Sequence, residues 1–565
     1  MAARSRAMTT AATLAALAAV AAACTSTPQP IPGRSGTAPA PSAAAPPEPA
    51  PGQVAGVPIP DGRIDAAVDR LAALAADART DSGAQALAVA VVHRGRVVFD
   101  RGYGTAHGGP GAPDGASPST APRSSSAERP ADADTVFPLG ALSTPVAATV
   151  VATQLGDGLA WSTPVREVMP GFTLADPYVT GHATLGDLFA GTLGLPPDAG
   201  SRAARVGIDR QELLDRLTTV PSGGFRTQAR PGDLGPTLAG EAVARASGTD
   251  WATLSDRSLF DRLGMDSTSF RSADYADRTT GPGRTDRSWT DVVAPARGLS
   301  SSAHDMATWM ETVLAGGEHG DAQVIPAEPL AAALSPQAVL SRTGATPVDA
   351  RGVSRGFGFD VTDSAAGRVV ITGGGQTGAD ADADAAMTLI PSADLGIVTL
   401  ATPAPASGPD GSAPAQEPAS AARVLNAQFA DLVQFGDVQR DWARWYAEMK
   451  DERAGTRAPT ATPSPSAQPT TPPAPLPQYD GVYTNPLFGQ ATVRTSNDTT
   501  VLAVGPAQRS FRLTRTRGDT FAVAPLDARA PAGAAFRRQH PDATARFDGD
   551  ALTLSFLDQA GPFRR

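Results

Sequence analysis

Three residue types are scarce in this 565-residue chain, and each scarcity excludes something. Cysteine occurs once, as Cys24, which excludes a disulfide framework and a thiolate-held zinc. Lysine occurs once, as Lys450, among 47 Lys and Arg residues. Asparagine occurs only as Asn426, Asn485 and Asn497, so no device needing Lys or Asn can be written earlier in the chain. The net charge is -10 and no run of Lys or Arg appears, so no nucleic-acid partner is expected. The six His show no metal-ligand spacing, and no metal or other cofactor is expected. Glycine and proline are abundant instead: 57 Gly and 52 Pro are too many for one compact fold and require linkers.

The N-terminus carries an address. Arg4 and Arg6 precede an Ala/Leu/Val run over residues 8–23 that ends Val20-Ala21-Ala22-Ala23-Cys24. A charged start followed by an apolar stretch is the pattern of a secretory signal. Small residues before the sole cysteine resemble a bacterial lipobox, with Ala21 where Leu is commonest. The expectation is a signal peptide over residues 1–23 and lipid attachment at Cys24, with export to the outer face of the cytoplasmic membrane or the cell envelope. Stable anchoring of such a body takes more than one acyl chain.

Composition then divides the rest. Residues 24–60 form a Pro/Ala-rich tether. Residues 61–435 carry helical and strand periodicities, interrupted by a Gly/Pro/Ser-rich stretch at about 107–132 that is expected to be disordered. Ile64, Val68, Leu71 and Leu74 have helical spacing, and residues 87–93 and 97–102 read as two strands joined by a tight turn. Residues 436–477 combine a connecting helix, predicted over residues 437–453 with Trp442, Trp445 and Tyr446, and a Pro/Thr-rich linker. Residues 478–565 show short apolar runs between turn residues, which predicts a small all-β module.

Several segments together resemble the serine β-lactamase-related family, which includes class C β-lactamases, D-Ala-D-Ala carboxypeptidases and esterases. The stretch Arg101-Gly102-Tyr103-Gly104 matches that family's R-G-Y-G. Thr184-Leu185-Gly186-Asp187-Leu188-Phe189-Ala190-Gly191-Thr192-Leu193-Gly194-Leu195-Pro196 is similar to T-I-R-H-L-L-T-H-T-S-G-L-P. Leu263-Gly264-Met265 matches L-G-M, and Ala296-Arg297-Gly298-Leu299 resembles A-G-G-L. The start Tyr479-Asp480-Gly481-Val482-Tyr483 resembles a β domain often attached behind such hydrolases. The resemblance implies an α+β fold, an antiparallel sheet flanked by helices with a helical subdomain, followed by the small all-β domain.

It also implies acyl transfer through S-x-x-K, Tyr-x-Asn and Lys/His-x-Gly motifs, and none of the three is intact. Ala141 stands at the nucleophile position and Thr144 at the Lys position. Since Ala447 lies three residues before the sole lysine, Lys450, no S-x-x-K can be written in any register. Pro231-Gly232-Asp233 stands where Tyr-x-Asn belongs, and Thr372 where Lys or His belongs. Alanine offers no nucleophile and threonine no base near neutral pH. Pro145 disfavours helix at the residue before it, so the helix is expected to start at Pro145 with Thr144 as its N-cap and its first turn distorted or missing. A remaining ligand cleft is expected around Ala141, Gly191, Gly232, Thr372 and Gly374.

The resulting expectation is a degenerate, lipid-anchored family member that binds a cell-wall fragment, a peptide or a partner protein. The alternative is an active hydrolase using Ser143 or Ser354, the latter in a literal G-x-S-x-G at Gly352-Val353-Ser354-Arg355-Gly356. Asp380, Asp382 and Asp384 alternate like a calcium loop without its Gly and Glu, and a solvated hairpin tip is expected there.

Overall fold

The computed structural model describes residues 57–107, 128–156, 158–275, 287–340, 352–374, 383–403, 419–448, 476–497, 499–527, 533, 536, 537, 539, 540 and 542–565. These lie in one compact unit, Ala50–Arg565. Cys24, residues 24–56 of the tether, Lys450, Asp380 and Asp382 lie outside the described residues. Among the described residues no helix is long and apolar enough to cross a membrane.

The first part is built on a nine-stranded antiparallel sheet. Its strands in chain order are β1 (Ala86–His93), β2 (Val97–His107), β3 (Glu128–Pro130), β4 (Ala338–Val339), β5 (Val353–Arg355), β6 (Asp360–Asp363), β7 (Val369–Gly374), β8 (Asp384–Ile390) and β9 (Leu395–Ala401). The spatial order is β3-β2-β1-β9-β8-β7-β6-β5-β4. Strand β1 is buried on both faces, and its period of two separates two cores. Leu87, Val89 and Val91 pack under helix α1 (Arg63–Ser82) and the helix Ala421–Phe435, while Ala86, Ala88, Ala90 and Val92 face the other core. The predicted turn after β1 holds Arg94 and Gly95 at φ 54° and 65°. Strand β3 lies inside the stretch expected to be disordered: residues 128–130 pair with Thr105, Ala106 and His107. Residues 108–127 lie outside the description.

Two further expectations are corrected here. Asp384 opens β8 and is fully buried, accepting hydrogen bonds from the Ser420 hydroxyl and the Ala421 N–H; it is not at a solvated tip. It caps the following helix from outside, which satisfies an orphan N–H of the first turn. The Trp-bearing helix begins only near Trp442, not at 437, and Trp442 Nε1 donates to Asp431 at 2.7 Å.

The second part is an eight-stranded closed barrel: β10 (Gly481–Asn485), β11 (Gly489–Ser496), β12 (Thr499–Val504), β13 (Arg509–Arg517), β14 (Thr520–Pro525), β15 (Thr544–Asp548), β16 (Ala551–Leu554) and β17 (Phe563–Arg564). Tyr483, Phe488, Val493, Leu502, Phe521, Phe547 and Phe563 fill it. The fold class therefore matches the expectation. Strand β13 escaped the apolar-run reading because only Phe511 and Leu513 are buried between exposed polar positions.

Candidate active-site cleft

A turn of 3-10 helix at Gly140–Leu142 runs straight into helix α2 (Ser143–Thr153). The expected start at Pro145 is wrong: Thr144 is buried inside the first turn and caps nothing through its side chain. Proline costs little there because the first four helical N–H groups have no intrahelical acceptor anyway. The first turn is thus present, with Ala141 half-buried just ahead of it. The Thr144 hydroxyl donates to the Ala296 carbonyl at 3.4 Å. Ser143 points into the core, fully buried, and its hydroxyl accepts from the Leu299 N–H at 3.0 Å.

Strand β7 brings the third motif to the same place. A Cβ on Gly373 would lie 2.8 Å from Pro145 Cγ, and one on Gly374 3.0 Å from Leu142 Cβ. Gly374 also has φ 81°, a conformation only glycine adopts cheaply. Thr372 is paired across the sheet with Asp360 and Thr388 and carries no cation into the cleft. Ser354 sits inside β5, paired with both Val339 and Val361, and β6 follows it, so the strand-turn-helix of a nucleophile elbow is absent at that serine.

The segment read as the second motif is packed tightly by backbone contacts. Gly191, at φ 70°, approaches the backbone of Arg230 and Pro231, and the Arg230 N–H donates to the Gly191 carbonyl at 2.8 Å. Gly232 lies against the backbone of Pro197. Gly191 and Gly232 line a cavity of only about 10 Å³, room for a water. Asp233 is fully buried and accepts from the Gly200 N–H at 3.0 Å and the Ser201 N–H at 2.6 Å. Burial pushes its carboxyl up to about 6, with Arg297 opposing and Asp198 reinforcing the shift.

Arg297 is the residue that sequence reasoning passed over. It replaces the first Gly of the A-G-G-L resemblance, is 6% exposed, and reaches Asp198 at 3.9 Å. It directly follows Ala296, which receives the Thr144 hydroxyl. A cation therefore lies near both regions, paired with Asp198 and close enough to Asp233 to act on its ionisation. The signal was available: an arginine at a glycine position inside an otherwise apolar segment.

A larger groove of about 1140 Å³ lies elsewhere, lined by Leu159, Trp161, Thr192, Arg226, Glu328 and Phe357 among others. Trp161 and Phe357 pack at 4.6 Å between ring centres. Arg226 holds Asp187 in a two-point fork at 2.9 and 2.6 Å. Burial opposes ionisation of Asp187, but hydrogen bonds from Arg226, Thr192 and Thr184 outweigh it and hold its carboxyl below the usual range. Of the expected cleft residues, Ala141, Gly191, Gly232, Thr372 and Gly374, none lines this groove. Among the described residues no group of three His, Cys, Asp or Glu could hold a metal.

The family model for β-lactamase matches residues 63–423, more than half of the chain. This chain belongs to the β-lactamase family. The octameric penicillin-binding protein homologue from Pyrococcus abyssi superposes with TM-score 0.50 at 14% identity, covering 86% of this chain and 98% of that one. That likeness spans the β-lactamase-family domain and reaches beyond it, and it supports the fold. A class C β-lactamase from Rhodobacter sphaeroides has 22% identity and TM-score 0.44, covering 59% of this chain and 93% of its own. A β-lactamase/D-alanine carboxypeptidase from Pseudomonas syringae has 16% identity and TM-score 0.47, covering 65% and 98%. No curated protein matches in sequence.

Proposed function

We propose that this β-lactamase-family chain is a lipid-anchored extracytoplasmic protein that binds a cell-wall fragment, a peptide or a protein partner and does not carry out acyl transfer. The observation that carries the reading is the set of side chains on a well-formed frame: Ala141, Thr144, Pro231 and Thr372 stand where the chemistry needs a nucleophile, a base, a relay and a cation. Removing one member of such a unit costs about 10⁴–10⁶ in rate, and here all are replaced. The Thr144 hydroxyl is engaged by Ala296, which supports a structural role for it.

The test is labelling of the purified chain with a fluorescent penicillin and with a fluorophosphonate. No adduct is expected. An adduct that disappears in Ser143→Ala or Ser354→Ala overturns the proposal in favour of a rearranged hydrolase. Anchoring is tested separately: in an expressing bacterium, Cys24→Ser should move the protein from the membrane to the soluble fraction and abolish incorporation of labelled palmitate.

A further inference from the structure

The buried charges of the cleft do not end there. Asp233 receives the N–H groups of Gly200 and Ser201, both in the helix Ala199–Arg205. Arg297 reaches Asp198 at 3.9 Å, and Asp198 faces Arg202 at 3.8 Å. Arg202 then leaves the β-lactamase-like part altogether. Its guanidinium donates to the Phe556 carbonyl at 2.6 Å and meets the Asp558 carboxylate at 3.5 Å. Both partners belong to the 3-10 segment Ser555–Ala560 that follows barrel strand β16. Arg202 keeps only 13% of its side-chain surface, whereas Asp558 is 57% exposed, so the Arg202 end of this contact is buried and the carboxylate end meets solvent.

Backbone contacts hold the barrel against the same helix. The Ala507 N–H donates to the Val206 carbonyl at 3.1 Å, and Arg509 Nε to the Arg205 carbonyl at 3.2 Å. A Cβ on Gly207 would lie 2.6 Å from Ala507, and one on Gly505 2.2 Å from the Val206 carbonyl, so the two surfaces touch without room for side chains. A separate joint is made by Arg216, which donates to the Leu487 carbonyl at 2.7 Å but takes no part in the relay of charges.

We infer that the C-terminal barrel is a latch on the expected cleft: through Asp558, Arg202 and Asp198 it fixes the helix Ala199–Arg205, whose Gly200 and Ser201 N–H groups hold Asp233, and keeps Arg297 seated against Asp198. Loosening the barrel at Arg202 therefore loosens the wall of the cleft, whereas loosening it at Arg216 does not. The coupling is independent of whether the cleft turns over an ester.

Native-state hydrogen exchange on the full chain in detergent tests this, read at the amides of Gly200 and Ser201. Arg202→Met and Asp558→Asn are each expected to speed exchange there by about tenfold, and Arg297→Gly by at least as much. Arg216→Met should leave those two amides within about twofold of the parent while speeding exchange near Leu487. The core amides of β9 report any global loss of stability and should not change. The inference is overturned if Asp558→Asn leaves Gly200 and Ser201 unaffected, or if Arg216→Met affects them as strongly as Arg202→Met.

Discussion

The two regions around the expected site differ in what fills them. At the junction of β7 with helix α2, backbone meets backbone and short side chains: Gly373 and Gly374 accept Pro145 and Leu142 at contact distance. There the close approach is set by glycine backbone, and Ala141 and Thr372 bring neither a nucleophile nor a cation. The region of Pro231 to Asp233 is instead filled with charge: Asp233, Arg297 and Asp198 lie in its interior. Steric constraints from backbone approach preserve a shape whatever the side chains do. A buried region lined by charge must be filled and paired throughout, because an empty or half-satisfied polar site is costly.

The comparison can be broken most sharply at Asp233. Asp233→Ala leaves two N–H groups unpaired and takes one carboxylate from Arg297, and should cost about 3–5 kcal/mol in urea unfolding. A loss below about 1 kcal/mol would show that the charged region is not an interlocked unit. At the glycine junction, a Cβ on Gly374 would lie 2.4 Å from the Ala385 carbonyl at an unfavourable φ. Gly374→Ala should therefore cost about 2–3 kcal/mol by the same measurement.

A third expectation concerns pH. Burial raises Asp233 and Asp384 each to about 6 in the fold, against about 3.9 in an open chain. Folding then takes up protons between those values, so stability rises as pH falls through 6 and the gain is complete near 4. Between pH 7.5 and 5 each group should add about 1 kcal/mol, seen as a rising Tm. Asp384→Asn should remove about half of that slope. Below about pH 4 the sign reverses through Asp187, whose carboxyl is held low and must be protonated at a cost. A Tm that falls steadily from pH 7.5 to 5 would mean that neither carboxyl is desolvated as described. The smallest effect is expected at Ala141→Ser, which should alter stability by less than about 0.5 kcal/mol and still give no penicillin adduct.

Much of the frame was legible in the sequence because it rests on periodicity and on backbone constraints. The two-core pattern of β1 and the turn at Gly95 are written in consecutive residues. The reading of Ala141, Thr144 and Thr372 as altered motif positions rests on the resemblance and on the scarcity of Lys and Asn. What escaped was long-range. Pro145 suggested a helix start by a local rule, but with Ser143 packed on Leu299 and Pro145 on Gly373 the helix begins two residues earlier. Asp384 looked solvated beside Asp380 and Asp382, yet its partners, Ser420 and Ala421, stand 36 and 37 residues away. Arg297 showed no local pattern at all, because its meaning depends on Asp198, which is remote in the chain.

Arg297 also makes the routes out of this sequence unequal. A serine at position 141 is one substitution away and disturbs little. A glycine at position 297 is also one substitution away, but it would leave Asp198 and Asp233 facing each other in the interior with their shared cation gone. Lysine at 144 would add a second buried cation beside the first. The steps at 297 and 144, unlike the one at 141, therefore each pass through a less stable chain unless several positions change together. The arginine works as a ratchet: selection for a well-folded protein is enough to hold the cleft in its present form, with no selection on what the cleft does.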